Sequence, residues 1–145
     1  MKTKLVVLLT FAALPLLAQQ APPAPDFAPF GVSINLTARI NAVMGAEPHL
    51  VPPGPCDGAI HLRFTNDRGE VLAEKTARVS STTWASLEFA PPPDSDRAGR
   101  TQVRPQISWV EVPPGPCRGT LVANVEVYNN ETGETRFVIS GLTNR

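Results

Sequence analysis

Val32-Ser33-Ile34-Asn35-Leu36-Thr37-Ala38-Arg39-Ile40-Asn41 alternates apolar and polar side chains without a break. A strand sends successive side chains to opposite faces, so Val32, Ile34, Leu36, Ala38 and Ile40 fall on one face and Ser33, Asn35, Thr37, Arg39 and Asn41 on the other. Wound as a helix, the same apolar residues would scatter around the axis. The segment therefore predicts a half-buried strand, and its period sets the reading of everything around it.

That period returns downstream. After a Pro- and Gly-rich loop over residues 45–57, Ile60, Leu62 and Phe64 alternate, and residues 70–79 follow through Asn66-Asp67-Arg68-Gly69, whose members tolerate left-handed backbone; together they predict a hairpin. Ala85, Leu87 and Phe89 share a face of a strand over residues 82–89. Residues 103–112 read as a fifth, with Pro105 placing it at a sheet edge or delaying its start. Leu121, Ala123, Val125 and Val127 make a sixth, and residues 137–139 lie in a seventh, reached through Asn129-Asn130-Glu131-Thr132-Gly133. About seven short strands, with turn signals between them and no segment of helical period, predict an all-β fold: a single antiparallel β-sandwich, immunoglobulin-like, with one disulfide.

Upstream, the chain changes character twice. Lys2 and Lys4 precede an apolar run over residues 5–17 that ends in Leu16-Leu17-Ala18, the pattern of a signal peptide cleaved after Ala18. The run is about 13 residues, short of the roughly 20 a membrane-spanning helix needs, and Pro15 interrupts its end. No cysteine follows the cleavage point to take a lipid, and no second apolar run follows, so no transmembrane segment is expected in the mature chain. Residues 19–30 are rich in Pro and Ala, a composition that favours extended chain. The expected division is a signal peptide over 1–18, a leader over 19–30 and the sandwich over 31–145, with the product exported to the periplasm or the cell exterior.

Losing residues 1–18 removes two lysines and no acid, which leaves 11 cationic against 13 anionic side chains. The arginines are dispersed among carboxylates with no basic stripe, so nucleic acid is not an expected partner. In an oxidising compartment the two cysteines, Cys56 and Cys117, read as one disulfide. Closing a loop of about 60 residues is worth up to about 4 kcal/mol by chain entropy. The cysteines sit in a repeat: Val51-Pro52-Pro53-Gly54-Pro55-Cys56-Asp57-Gly58 returns as Val112-Pro113-Pro114-Gly115-Pro116-Cys117-Arg118-Gly119. Each copy precedes an apolar strand and a turn, Asn66 to Glu70 in the first and Asn130 to Glu134 in the second. This places both loops at one end of the sandwich, where the bridge would lock two hairpins together.

Catalytic signals are sparse. His61 alternates with Ile60 and Leu62 and should face outward, while His49 lies in the proline loop; no nucleophile-elbow, zinc-protease, phosphate-loop or Cys-x-x-Cys pattern occurs. Asp94, Ser95 and Asp96, even with Asp57 or Glu131, supply only a fragment of a calcium loop. No catalytic, metal or cofactor-binding residue is assigned, and no cofactor is expected. Trp84 and Trp109, with Tyr128, are the aromatics that would make a ligand platform if exposed. Trp84 falls on the face opposite Ala85 and Leu87, while burial of at least one tryptophan in the core is expected.

Phe27-Ala28-Pro29-Phe30-Gly31, the run from Leu36 to Val43, the turn from Asn66 to Glu70, and the run from Leu121 to Gly133 together resemble small exported bacterial proteins with a single β-sandwich domain. Asn35-Leu36-Thr37 stands where that group carries Gly-Gln-Thr. The resemblance implies a bacterial host and export, and brings no function or site residue. The expected role is an exported, non-enzymatic binding or structural module whose partner is a protein or a polysaccharide. The alternatives are a carbohydrate-binding module using Trp84 or Trp109, or a subunit that assembles by strand addition through its long first strand.

Overall fold

The computed structural model describes residues 25–45, 57–93, 99–113 and 120–141. Among them the chain is all-β: β1 (Phe30–Val32), β2 (Leu36–Gly45), β3 (Gly58–Thr65), β4 (Val71–Val79), β5 (Ala85–Phe89), β6 (Thr101–Glu111), β7 (Thr120–Asn129) and β8 (Thr135–Ser140). They form two antiparallel four-stranded sheets, ordered β1-β6-β3-β4 and β5-β2-β7-β8. The inward residues of both sheets share one core. Ile40, Val125 and Val127 come from one side and Ile60, Leu62 and Phe64 from the other, and Phe64 meets Phe89 across the interface with ring centroids 6.0 Å apart.

Eight strands replace the expected seven because the alternating first segment is two strands. A turn at Ser33–Asn35, closed by the Leu36 amide donating to the Ser33 carbonyl at 2.9 Å, carries the chain from one sheet to the other. Val32 is fully buried in β1, but Ile34 stands 43% exposed on the turn instead of facing the core. Asn130 fixes this crossing from the far hairpin. Its amide donates to the Asn35 carbonyl at 3.0 Å, and its side-chain oxygen accepts from the buried Thr37 hydroxyl at 2.6 Å.

Pro105 is not at a sheet edge, nor does the strand wait for it: β6 begins at Thr101 and lies between β1 and β3. Its pairing with β1 runs only from Thr101 to Val103, so at Pro105 that side of β6 has no named strand beside it, and a missing N–H is tolerated there. Packing also begins before Gly31. Pro25 and Phe27, assigned to the leader by composition, are buried, and Asp26 makes an isolated bridge to Gln106.

Both hairpin turns use a glycine in left-handed conformation, Gly69 at φ 80° and Gly133 at φ 69°. In the first, the Asn66 side-chain oxygen accepts from the amides of Arg68 and Glu70, each at 2.9 Å. In the second, that role falls to Asn129 and not to Asn130: Asn129 Oδ1 accepts from the amides of Glu131 and Thr132. The displaced Asn130 is thereby released to hold the β1–β2 turn.

The two copies of the octapeptide lie mostly outside the described residues, as do Cys56, Cys117, His49, Asp94, Ser95 and Asp96. Their flanking strand ends are described. Ala59 pairs with Glu111, and Gly45 pairs with Thr120, so the segment joining β2 to β3 and the segment joining β6 to β7 start and finish side by side. No helix among the described residues is long and apolar enough to cross a membrane.

Candidate functional site

The two tryptophans belong to different sheets and face opposite ways. β6 alternates Val103, Pro105 and Ile107 inward, and Trp109 continues that face at the end of the sandwich, half-buried and packed on the core. Trp84 precedes β5, where Ala85 and Phe89 point inward. Parity turns its indole outward, and it is 76% exposed. The structure thus does not join Trp84 and Trp109 in one platform, and Trp84 alone is available to a ligand.

Around Trp84 the outer face of the β5-β2-β7-β8 sheet combines hydrogen-bonded polar side chains with the exposed Val122. Arg39 on β2 sits opposite Glu88 on β5 and Glu126 on β7, which are its register partners on either side. Its Nε donates to Glu88 Oε1 at 2.7 Å, its Nη1 lies 3.8 Å from Glu126 Oε2, and its Nη2 donates to the Tyr128 hydroxyl at 3.2 Å. The guanidinium carbon also lies 4.8 Å from the centre of the Tyr128 ring, a cation–π contact. The hydrogen bond to Glu88 raises the Arg39 pKa above its ordinary value, outweighing the opposing effect of partial burial. One register step along, Asn41 Nδ2 donates to Asn124 Oδ1 at 3.1 Å. Thr135 on β8 donates its hydroxyl to Glu126 Oε1, which extends the network to the fourth strand.

Two adjoining depressions flank the indole. One, of about 290 Å³, is lined by Trp84, Arg39, Asn41, Val122, Asn124 and Glu126; the other, of about 340 Å³, by Trp84, Arg39, Asn41, Ser86 and Glu88. The first falls just short of, and the second just within, the range of small-molecule sites, which begins at about 300 Å³. Trp84, Arg39 and Asn41 form the wall they share.

The outer face of the other sheet has a different character. His61 faces outward as its alternation requires, and its Nε2 lies 3.1 Å from Glu74 Oε2, the same oxygen that Arg63 approaches at 3.3 Å. His61 and Arg63, with Asp26, Gln106 and Ser108, line a depression of about 410 Å³. Among the described residues this face offers charged and hydroxyl groups but no exposed aromatic ring.

Of the face around Trp84, sequence parity marks Trp84 as outward, and Tyr128 is legible as an aromatic. Arg39, Asn41, Glu88, Asn124 and Glu126 were not among the candidates. The signal for them lay in the polar halves of the same alternating runs, but which polar residues meet depends on strand order and register. Comparison with protein-family models, with curated proteins and with solved structures finds no match to this chain.

Proposed function

We propose that the chain is an exported, non-enzymatic binding module on an immunoglobulin-like sandwich, with its binding face on the outer surface of the β5-β2-β7-β8 sheet around Trp84. The observation that carries this reading is an indole left 76% in water beside side chains already fixed by mutual hydrogen bonds. Large aromatics concentrate at the centres of binding surfaces, and groups ordered beforehand lose less entropy when a ligand arrives.

The immunoglobulin-like part of the proposal rests on pairing. In that fold strands B and E pair in one sheet and C and F in the other, and a variable-type domain adds C′ beside C. The pairs β2 with β5, β3 with β6 and β3 with β4 correspond to these, while β1 stands in the slot of G and β7 in that of A. Export rests on the basic head and apolar run of residues 1–18, and a bacterial periplasm or exterior on the resemblance. The Cys56–Cys117 bridge draws support from the adjoining strand ends that bracket the two loops.

A second reading, assembly by strand addition, draws on a different observation. β2 is paired on both sides, so the long first strand is already in use, but β8 is an edge strand with Val138 55% and Phe137 39% exposed. Size-exclusion chromatography of the chain from Gln19 and of Val138→Lys separates the cases. Assembly that Val138→Lys abolishes supports this reading, and a monomer in both removes it.

The primary proposal is tested by screening the chain from Gln19 against immobilised glycans, peptides and lipids, together with Trp84→Ala and the opposite-face double variant His61→Ala/Arg63→Ala. A ligand lost with Trp84→Ala and kept by the double variant is the expected result. A ligand that Trp84→Ala retains, or a silent panel, overturns it.

A further inference from the structure

The chemistry of the Trp84 face narrows its ligand. Consider first its charges. Arg39 lies between Glu88 and Glu126, Lys75 reaches from β4 to the Ser86 carbonyl at 3.3 Å, and Arg136 lies 3.5 Å from Glu134. Polyanions are held by clustered, available cations. Each of these described cations already has an oxygen partner, and the Arg39 cluster carries two carboxylates for one guanidinium.

Consider next the polar groups that remain. A side-chain amide has one acceptor oxygen and two donor hydrogens. The Asn41–Asn124 bond uses the nitrogen of one and the oxygen of the other, which leaves Asn41 Oδ1 as an acceptor and Asn124 Nδ2 as a donor for an incoming group. Glu88 binds Arg39 through Oε1, leaving Oε2 as a further acceptor. Donor and acceptor alternate over one register step beside an exposed indole. A hydroxyl both donates and accepts, and a ring carrying several hydroxyls on its rim with C–H groups on its flat side matches such a surface in both respects.

The two adjoining depressions add length: a ligand that fills both crosses the wall of Trp84, Arg39 and Asn41 that they share, so a chain is favoured over a single ring. Resting on the reading of this face as the binding surface, we infer that its ligand is a neutral polysaccharide chain, one sugar ring stacked on Trp84 and its neighbours' hydroxyls read by Asn41, Asn124 and Glu88.

Isothermal titration of the chain from Gln19 with cellohexaose, xylohexaose, mannohexaose and chitohexaose, and with an oligogalacturonate of equal length as the acidic arm, tests this. At least one neutral hexaose binds, with little dependence on salt. Trp84→Ala, whose fold is checked by circular dichroism, weakens that binding about tenfold or more, the loss typical of an anchoring aromatic. Asn41→Ala/Asn124→Ala weakens it as well. In a Trp109→Phe chain the only indole is Trp84, and its emission shifts on binding. Salt-sensitive binding of oligogalacturonate alone overturns the inference, as does neutral-sugar binding indifferent to Trp84→Ala. If no hexaose binds while a peptide or lipid binds in a Trp84-dependent manner, the sugar assignment falls and the binding face stands.

Discussion

A Cβ placed on Gly58 would stand 2.8 Å from Trp109 Cζ3, 3.0 Å from Pro113 Cγ and 3.1 Å from the Glu111 carbonyl oxygen. The last residue of the first octapeptide thus lies against the second residue of the other copy, with the half-buried indole covering the junction. Neither ring nor backbone can yield as the tip of a flexible side chain would. Gly58→Ala should destabilise the fold by about 1–3 kcal/mol, as overpacking does. Trp109→Leu should recover part of that loss in the double variant, measured by urea denaturation.

The Thr37 hydroxyl is buried and depends on Asn130 as its acceptor. Asn130→Ala leaves it unsatisfied and should cost about 1–3 kcal/mol, whereas Thr37→Val in the Asn130→Ala background should restore much of it. A double-mutant cycle in denaturant reads the coupling directly. Two independent, additive losses would mean that the link contributes nothing.

Phe27 is 3% exposed, within the core. A chain starting at Pro25 should therefore melt as the chain from Gln19 does. One starting at Gly31 loses a buried phenylalanine side chain, which costs about 3–5 kcal/mol when truncated to alanine. Equal melting temperatures would return residues 25–30 to the leader.

Intact mass before and after reduction and alkylation bears on both ends of the sequence reading. A mass beginning at Gln19, with two thiols that react only after reduction, is expected of protein purified from its export compartment. Reduction should then lower stability by about 2–4 kcal/mol. Thiols that react at once would separate the repeated loops from any bridging role.

Period two made most of the strands legible, because alternation reports which face a residue takes. It does not report which sheet that face belongs to, so the alternation through Ser33, Ile34 and Asn35 read as one strand across a turn that switches sheets. The contacts that hold this turn come from Asn130, far along the chain, and no local pattern encodes them. Pro105 misled for a related reason. An interior strand tolerates a proline where its neighbour stops short, and β1 has only three residues. Outward placement of Trp84 followed from parity alone. The partnership of Asn41 with Asn124, 83 residues apart, required the register of β2 against β7.

Pro25 and Phe27 pack against Gly141, where an added Cβ would meet Phe27 Cζ at 2.9 Å. The first and last described residues therefore meet at one corner, and the path between them nearly closes on itself into a ring. A short peptide from Gly141 to Pro25 would complete it, and the ring could be reopened at the exposed Asp67–Arg68 turn with the strand neighbours unchanged. On this view the pairing of β1 with β6 belongs to the ring and survives wherever the ring is cut outside those strands.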